Sequence, residues 1–345
     1  GLLLEAIEIY EEKLGTEHPL YAKANYELGT FYQTQEKHEE AEELFNKALE
    51  IQEKTLGEHH PDLTKTYENL AINYWQQDKY ESALNTYRNA LDEYVYQVNT
   101  YFSAMNEAEK TEFWNQIQPK FIRFYSFAVE AYPTIPEVSI DVYNYHIATK
   151  ALLLNSSRKV KNRILNSGDE YLIAQYNEWQ DLKNYTGKLY AMTNEDLEKE
   201  NINLDSLEQV VAELEKELTV SSEHFKQAQE QQTIKYNDIA SQLGSNDAAI
   251  EIIRIDKYDH LFTDESIYYL ALTLKNDGSH PEMIVYENGM EMENKYIAEY
   301  KKAIMKGRDM DKFYEYYWKG MDDITKDQEN LYVSIDGIYN QININ

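Results

Sequence analysis

Leu56-Gly57-Glu58-His59-His60-Pro61 decides the fold, because Leu14-Gly15-Thr16-Glu17-His18-Pro19 stands 42 positions before it. The register holds well beyond these six residues. Leu28 falls on Leu70, Tyr32 on Tyr74, Lys37 on Lys79 and Ala41 on Ala83, while Ala6, Ala48 and Ala90 form a series with the same spacing. Self-similarity at one fixed period of about 20 to 50 residues is the mark of a stacked repeat array. Each unit reads as two amphipathic helices. Pro19 and Pro61 sit where a first helix starts without wasting a donor, since the first N–H groups of a helix have no intrahelical partner. Gly29/Ala71 and Ala41/Ala83 are small where two paired helices must approach closely. Such a pair cannot bury its apolar stripe alone, so it needs neighbours.

The residues Asn69-Leu70-Ala71-x-x-Tyr74, Tyr80-Glu81-x-Ala83 and Ala90-Leu91 resemble the tetratricopeptide repeat (TPR), and the long Leu-Gly-x-x-His-Pro turn is similar to the kinesin-light-chain type. The resemblance implies an α-solenoid that binds peptides or partner proteins, or holds other domains. The first helix of each pair lines the concave face in this repeat type, which makes Glu27, Asn69 and Asn73 the candidate residues of a peptide-binding groove. An Asn amide can serve an extended backbone as both donor and acceptor.

The 345 residues suffice for two or three domains, and 62 Asp and Glu against 33 Lys and Arg leave a net charge of −29. That balance argues against a nucleic-acid or membrane-surface partner, since both need a basic footprint. It reads as a device for solubility. No apolar run reaches the roughly 18 residues of a bilayer span, and no secretion signal opens the chain. Cysteine is absent, which removes disulfides, thiolate metal sites and a cysteine nucleophile from these residues. Neither a cofactor nor a metal is implied, and a cytoplasmic location is expected. Gly1 to Tyr10 aligns with the second helix of a repeat, so the opening repeat is expected to be truncated and the chain to be a piece of something longer.

After Leu91 the register fades while helical composition persists. Tyr94 to Phe102 and Thr111 to Ala131 keep apolar residues three and four apart, with Trp114, Ile117, Phe121, Phe124, Tyr125 and Phe127 as the expected buried set. Pro133 and Pro136 bracket a break. The basic cluster Lys150, Arg158, Lys159, Lys161 and Arg163 reads as a solvated helix face rather than an anion site. His146, among Tyr143, Tyr145 and Ile147, has no companion at metal-ligand spacing and reads as a packed histidine. Leu207, Val211, Leu214 and Leu218 make one stripe on a helix from Leu204 to Gln229. Asn203 or Asp205 would cap that helix, and the stripe would pack on a neighbouring helix.

From residue 236 the period changes. Ala249 to Ile255 and Ile267 to Leu274 read as strands. Met283-Ile284-Val285-Tyr286 and Met290-Glu291-Met292 flank Asn288-Gly289, a pair favoured in tight hairpins. Helices are expected from Tyr296 to Met305 and Met310 to Ile324, then a strand from Leu331 to Ile335. Strands interleaved with helices imply the beginning of an α/β domain. Three segments result: repeats over 1–92, a helical extension over 93–235, and an α/β portion over 236–345.

Two motifs carry a second resemblance. Lys150-Ala151-Leu152-Leu153-Leu154-Asn155-Ser156-Ser157-Arg158 is similar to the linker of CHAT proteins, the caspase-like proteases fused to TPR arrays, in which such a helix runs into a serine-rich turn and then a basic helix. Ala248-Ala249-Ile250-Glu251, Tyr269 to Leu274, Tyr314 to Trp318 and Tyr332-Val333-Ser334-Ile335-Asp336-Gly337-Ile338-Tyr339-Asn340-Gln341-Ile342 resemble, in that order, the front of the CHAT domain. Ala151 replaces the usual glycine, and Ile335 stands where many members have proline. The resemblance implies a mainly α protein, its TPR solenoid and helical linker followed by an incomplete caspase-like α/β portion. In that family the catalytic histidine and cysteine lie further on, so no catalytic residue is assigned here, and a catalytic half of the same protein is an expected partner. His260 and His280 precede that region, and Gly278-Ser279-His280-Pro281 reads as a turn. Two alternatives stand beside the protease reading: an adaptor that uses only the repeat groove, and a carboxylate hydrolase using Asp322-Asp323 or Glu291 with Glu293.

Overall fold

The computed structural model describes residues 1–57, 59–102, 105–189, 200, 202–223, 234–259, 261–307 and 311–343, the side chains of 107, 151–160, 163, 187, 204, 205, 219, 222, 223, 259 and 261–265 excepted. The expectation for His260 lies outside them. Gly1–Tyr94, Lys120–His146 and Ile234–Asn345 form one compact unit, and Val95–Pro119 with Ile147–Thr233 form another.

In the first unit, α1 (Leu2–Leu14) packs on α2 (Pro19–Gln33), which pairs with α3 (His38–Thr55); α4 (Pro61–Trp75) then pairs with α5 (Tyr80–Tyr101). The repeated His-Pro has a job for both residues. Pro19 and Pro61 open their helices, and the Nδ1 atoms of His18 and His60 cap them by accepting the N–H of Leu20 at 3.1 Å and of Asp62 at 3.2 Å. The repeated Tyr and Lys are explained by the turn inside each pair. Lys37 N–H donates to the Tyr32 carbonyl and Lys79 N–H to that of Tyr74. Each lysine lies over the ring it follows, at 5.1 and 5.7 Å. Closing these turns puts Glu36 (φ 59°) and Asp78 (φ 56°) in the left-handed region. Ala41, Ala48, Ala71 and Ala83 are wholly buried, as close helix approach requires.

A third antiparallel pair continues the stack without the 42-residue register. Within this unit α6 (Glu107–Ala131) lays Phe124 and Phe127 on Tyr87, with ring centroids 5.5 and 5.0 Å apart. From α7 (Val138–Asn166), Asp141 receives two hydrogen bonds from Arg88, at 3.0 and 2.8 Å, and Tyr145 donates to Asp92 at 2.8 Å. Ile117, Phe121, Phe124, Tyr125 and Phe127 are buried as their spacing implies, with Trp114 half-buried. The serine-rich turn does not form, because α7 runs unbroken through Ser156-Ser157 to Asn166. Serine costs a helix only a few tenths of a kcal/mol, and no glycine or proline interrupts the chain before Gly168.

The second unit is helical. Here α8 (Glu170–Leu189) starts on Asp169, whose Oδ1 accepts two backbone N–H groups. Asn203 caps α9 (Leu204–Glu223) by accepting Ser206 N–H at 2.9 Å. The two helices pack through Leu172, Tyr176 and Leu218, joined by Ile164. The expected extension of α9 to Gln229 falls outside the described residues. So do the side chains of Arg158, Lys159 and Arg163, while Lys161 is exposed.

After the short α10 (Tyr236–Ala240) the first unit adds a sheet: β1 (Asp247–Asp259), β2 (Leu261–Lys275), β3 (Glu282–Tyr286) and β4 (Asn330–Ser334), in order β3-β2-β1-β4. β4 is parallel to β1 and the other pairs are antiparallel. Between β3 and β4 run a π-helical turn (Met292–Tyr296), α11 (Ile297–Met305), α12 (Asp311–Tyr317) and α13 (Lys319–Thr325). These cover one sheet face, burying Ile250, Ile252, Tyr269 and Ala271 against Met292, Phe313, Tyr317, Met321 and Tyr339.

The hairpin at Asn288-Gly289 is corrected. Gly289–Glu291 begins a helical turn, and Met292 is fully buried. A Cβ on Gly289 would lie 2.4 Å from the Ile267 carbonyl oxygen, so the glycine serves close approach and not a tight reversal. Gly278-Ser279-His280-Pro281 is the link between β2 and β3, as read.

The Asp336-Gly337 turn closes the far end of β4. Asp336 accepts the N–H of Arg254 at 3.0 Å and of Gly337 at 2.7 Å. Glu293 accepts from Arg254 Nε and Tyr269 Oη, both at 2.6 Å. Burial pushes the Glu293 carboxyl up, but those bonds outweigh it and hold the group below its usual range.

Two predictions follow from these turns. Gly at position 36 or 78 removes left-handed strain, so Glu36→Gly is expected to raise stability by up to about 1 kcal/mol, and Asp78→Gly by less, since Asp tolerates that region better. Thermal unfolding measures both. A depressed carboxyl stabilises above its unfolded pKa and loses that contribution as pH falls through the folded one. Glu293→Gln is therefore expected to lower stability at pH 7 and to flatten its decline below about pH 4.5, read by denaturant unfolding across that range.

Candidate binding face of the repeats

The first helices α2, α4 and α6 carry the polar groups that a TPR array offers a partner. Glu27 and Asn69 occupy equivalent positions on α2 and α4. Glu27 is exposed. Asn69 is half-buried, and its amide N–H donates to Tyr26 Oη at 2.9 Å and Thr30 Oγ1 at 3.4 Å. Gln33 from α2 reaches the Asn69 carbonyl at 3.1 Å. These bonds fix the Asn69 amide against α2.

Asn73 does not join them. It is wholly buried, donates to the His38 carbonyl at 2.8 Å and turns its Oδ1 to His38 Nδ1 at 3.2 Å. Its amide spends donor and acceptor on fastening α4 to the start of α3. One helical turn separates it from Asn69, and that turn moves it from the face to beneath α3.

A buried charge cluster on α4 was not visible in the motif. Glu68 on α4 is buried and accepts from Tyr94 Oη at 2.8 Å, from Lys120 Nζ at 2.9 Å and from Arg123. Burial, then the Glu68 charge, pushes the Tyr94 hydroxyl far above its ordinary range. Nearby, Trp75 Nε1 donates to Glu130 Oε2 at 2.9 Å. The signal was present as a lone acid on an apolar helix face with two bases on the later helix, but only the third pair brings them together.

The alternative carboxylate pairs have other partners. Glu293 is held by Arg254 and Tyr269, and Asp322 accepts from Tyr314 Oη at 2.6 Å. His146 meets Glu251 at 3.0 Å, and Ser334 donates to the same oxygen at 2.7 Å. This set has the carboxylate in the middle, which fastens α7 to the sheet. No group of three His, Asp or Glu among the described residues could hold a metal ion. No helix among them is long and apolar enough to cross a membrane.

A family model of the tetratricopeptide repeat matches residues 21–92. This stretch, α2 to most of α5, carries the repeats, and such repeats serve as scaffolds for protein partners. No curated protein matches the chain.

Asn73→Ala is expected to cost about 2 kcal/mol in denaturant unfolding, because it removes a buried pair of hydrogen bonds, whereas Asn69→Ala on the half-open face costs less than about 1 kcal/mol.

Proposed function

We propose that this chain is the partner-sensing TPR array and the front part of a caspase-like CHAT cysteine endopeptidase, working in the cytoplasm with a catalytic half of the same protein. The observation that carries the reading is the order of the CHAT-like motifs along an α/β portion. β1 leads through the hairpin and helices α11 to α13 to a parallel neighbour, β4, so an α/β domain is seated on helices that continue the repeat stack. The CHAT-like motifs fall on structurally occupied positions: Ala248 to Glu251 on β1, Tyr269 to Leu274 on β2, Tyr314 to Trp318 around the end of α12, and Tyr332 to Gly337 on β4 and its turn. The domain bounds 1–92, 93–235 and 236–345 belong to this reading. A partner binding at Glu27 and Asn69 would act by favouring one state of the array over another.

The family's chemistry needs a thiolate and a histidine in one site, and these residues contain no cysteine. The second reading, a non-enzymatic adaptor, rests on the repeat match alone.

Reading the gene past the codon for Asn345 separates them. The protease reading expects a strand ending in His and a later strand ending in Cys within about one further domain. Cys→Ala in that continuation should abolish peptide cleavage while leaving partner binding intact. A reading frame without that pair overturns the protease and leaves the adaptor.

A further inference from the structure

The two caps of the repeats are titratable. His18 and His60 are extended, at φ −83° and −77°, and each closes its helix with one atom, the Nδ1 that accepts Leu20 N–H at 3.1 Å or Asp62 N–H at 3.2 Å. An imidazole nitrogen accepts only while it carries no proton. Both rings must therefore be neutral here, with their hydrogen on Nε2. Asn and Ser are preferred caps and serve at any pH, so a histidine at both caps adds a dependence that a stronger cap lacks.

The acids beside these rings are already engaged. Among the described residues the cap bond is the only side-chain hydrogen bond of either imidazole. Glu17, next to His18, lies 3.7 Å from Lys54 Nζ of α3, and Asp62, two positions after His60, lies 3.4 Å from Lys65 Nζ. His59 differs: its Nδ1 meets Glu93 of α5 at 2.7 Å, so a proton strengthens that contact. His38 differs too, because its Nδ1 faces Asn73 Oδ1 and donates whether the ring is charged or neutral. On His18 or His60 a proton turns the acceptor into a second donor aimed at an N–H, and it sets a positive charge at the positive end of a helix. The folded chain holds these two rings neutral, while the unfolded chain lets them charge. Their contribution is whole above the imidazole range and fades as pH falls through it, from about 7 to 5.

We propose that His18 and His60 are a paired proton-sensitive latch on the array: mild acid releases the first turns of α2 and α4 together and loosens the two helices that carry Glu27 and Asn69. The repeat that gives both helices the same His-Pro start gives them the same response. The inference goes beyond the peptidase and adaptor readings, because the array is common to both.

Thermal unfolding of the full chain at pH 7.5 and 5.5 tests it, with His18→Asn and His60→Asn made together so that each cap is kept without its proton site. Between the two pH values the melting temperature of the unchanged chain should fall by about 2 °C more than that of the variant, the size expected from two lost caps in a chain this long. Amide exchange, corrected for its intrinsic pH dependence, localises the effect. The first turns of α2 and α4 should lose protection about fivefold in the unchanged chain and keep it in the variant. His60→Asn alone should silence α4 and leave α2 responding, and His59→Gln should change neither. A difference in melting temperature that is the same at both pH values, or a first-turn response that survives the double variant, overturns the inference. If the double variant does not fold, the exchange of α2 against α4 within His60→Asn decides.

Discussion

A carboxylate buried between helices is tolerated only when charges and hydroxyls come to it, and Glu68 is held by that constraint. Lys120, Arg123 and Tyr94 converge on it, drawing α4, α5 and α6 into one contact. Removing one member of such a set leaves an uncompensated buried charge, at a cost of about 3 to 5 kcal/mol. Arg123 then faces two ways: its guanidinium meets Glu68 and also covers the ring of Tyr258. The repeat stack, the third helical pair and strand β1 therefore share one arginine, and a change at any of them is felt by the others.

The sheet shows why β1 and β2 carry apolar residues on both faces where they pair with their neighbours. One face is sealed by α11 to α13. On the other, Glu251, Ile253, Ile255, Leu270 and Leu272 are also buried, and the polar links on that side run to α6 and α7: His146 to Glu251, Tyr132 to Met283 N–H and Ser126 to Tyr258. A strand buried on both sides loses the alternation that marks a half-exposed one. Gly337, at φ 54° with no room for a Cβ beside Tyr269 Oη, lets the chain turn off β4 without displacing the Glu293–Arg254–Tyr269 set.

Much of the repeat architecture was legible because its signals are local. Tyr32 and Tyr74, Lys37 and Lys79, and the buried alanines each satisfy a contact within one helix pair, so spacing alone revealed them. The third pair escaped the register because the helices lengthen from α5 onward, to 22, 25 and 29 residues, which destroys the period while keeping the packing. The small errors have the same source. Asn288-Gly289 looks like a hairpin until Met292 demands burial. Ser156-Ser157 looks like a turn until a helix without breakers continues through it. Asn73 looks like Asn69 until the start of α3 covers it. The Lys120 and Arg123 contacts of Glu68 and the contacts of Tyr258 were not legible, since they join residues more than fifty positions apart. The repeat model supports the array, and the sheet's order supports an α/β portion; the step from there to a peptidase rests on motifs alone.

The pairing of β1 with β4 also orders events in time. Asp247 lies beside Asn330, so 83 residues must be made before the central strand acquires its parallel neighbour. Helix pairs close over short loops and form quickly, whereas such long-range pairing is slow. At synthesis rates of about 5 to 20 residues per second, β1 waits roughly 4 to 17 s for β4. During that interval the finished repeats are already present, and the α6–α7 pair supplies a surface on which the early hairpin can rest. The helical stack is thereby placed to shelter the unfinished sheet in the nascent chain.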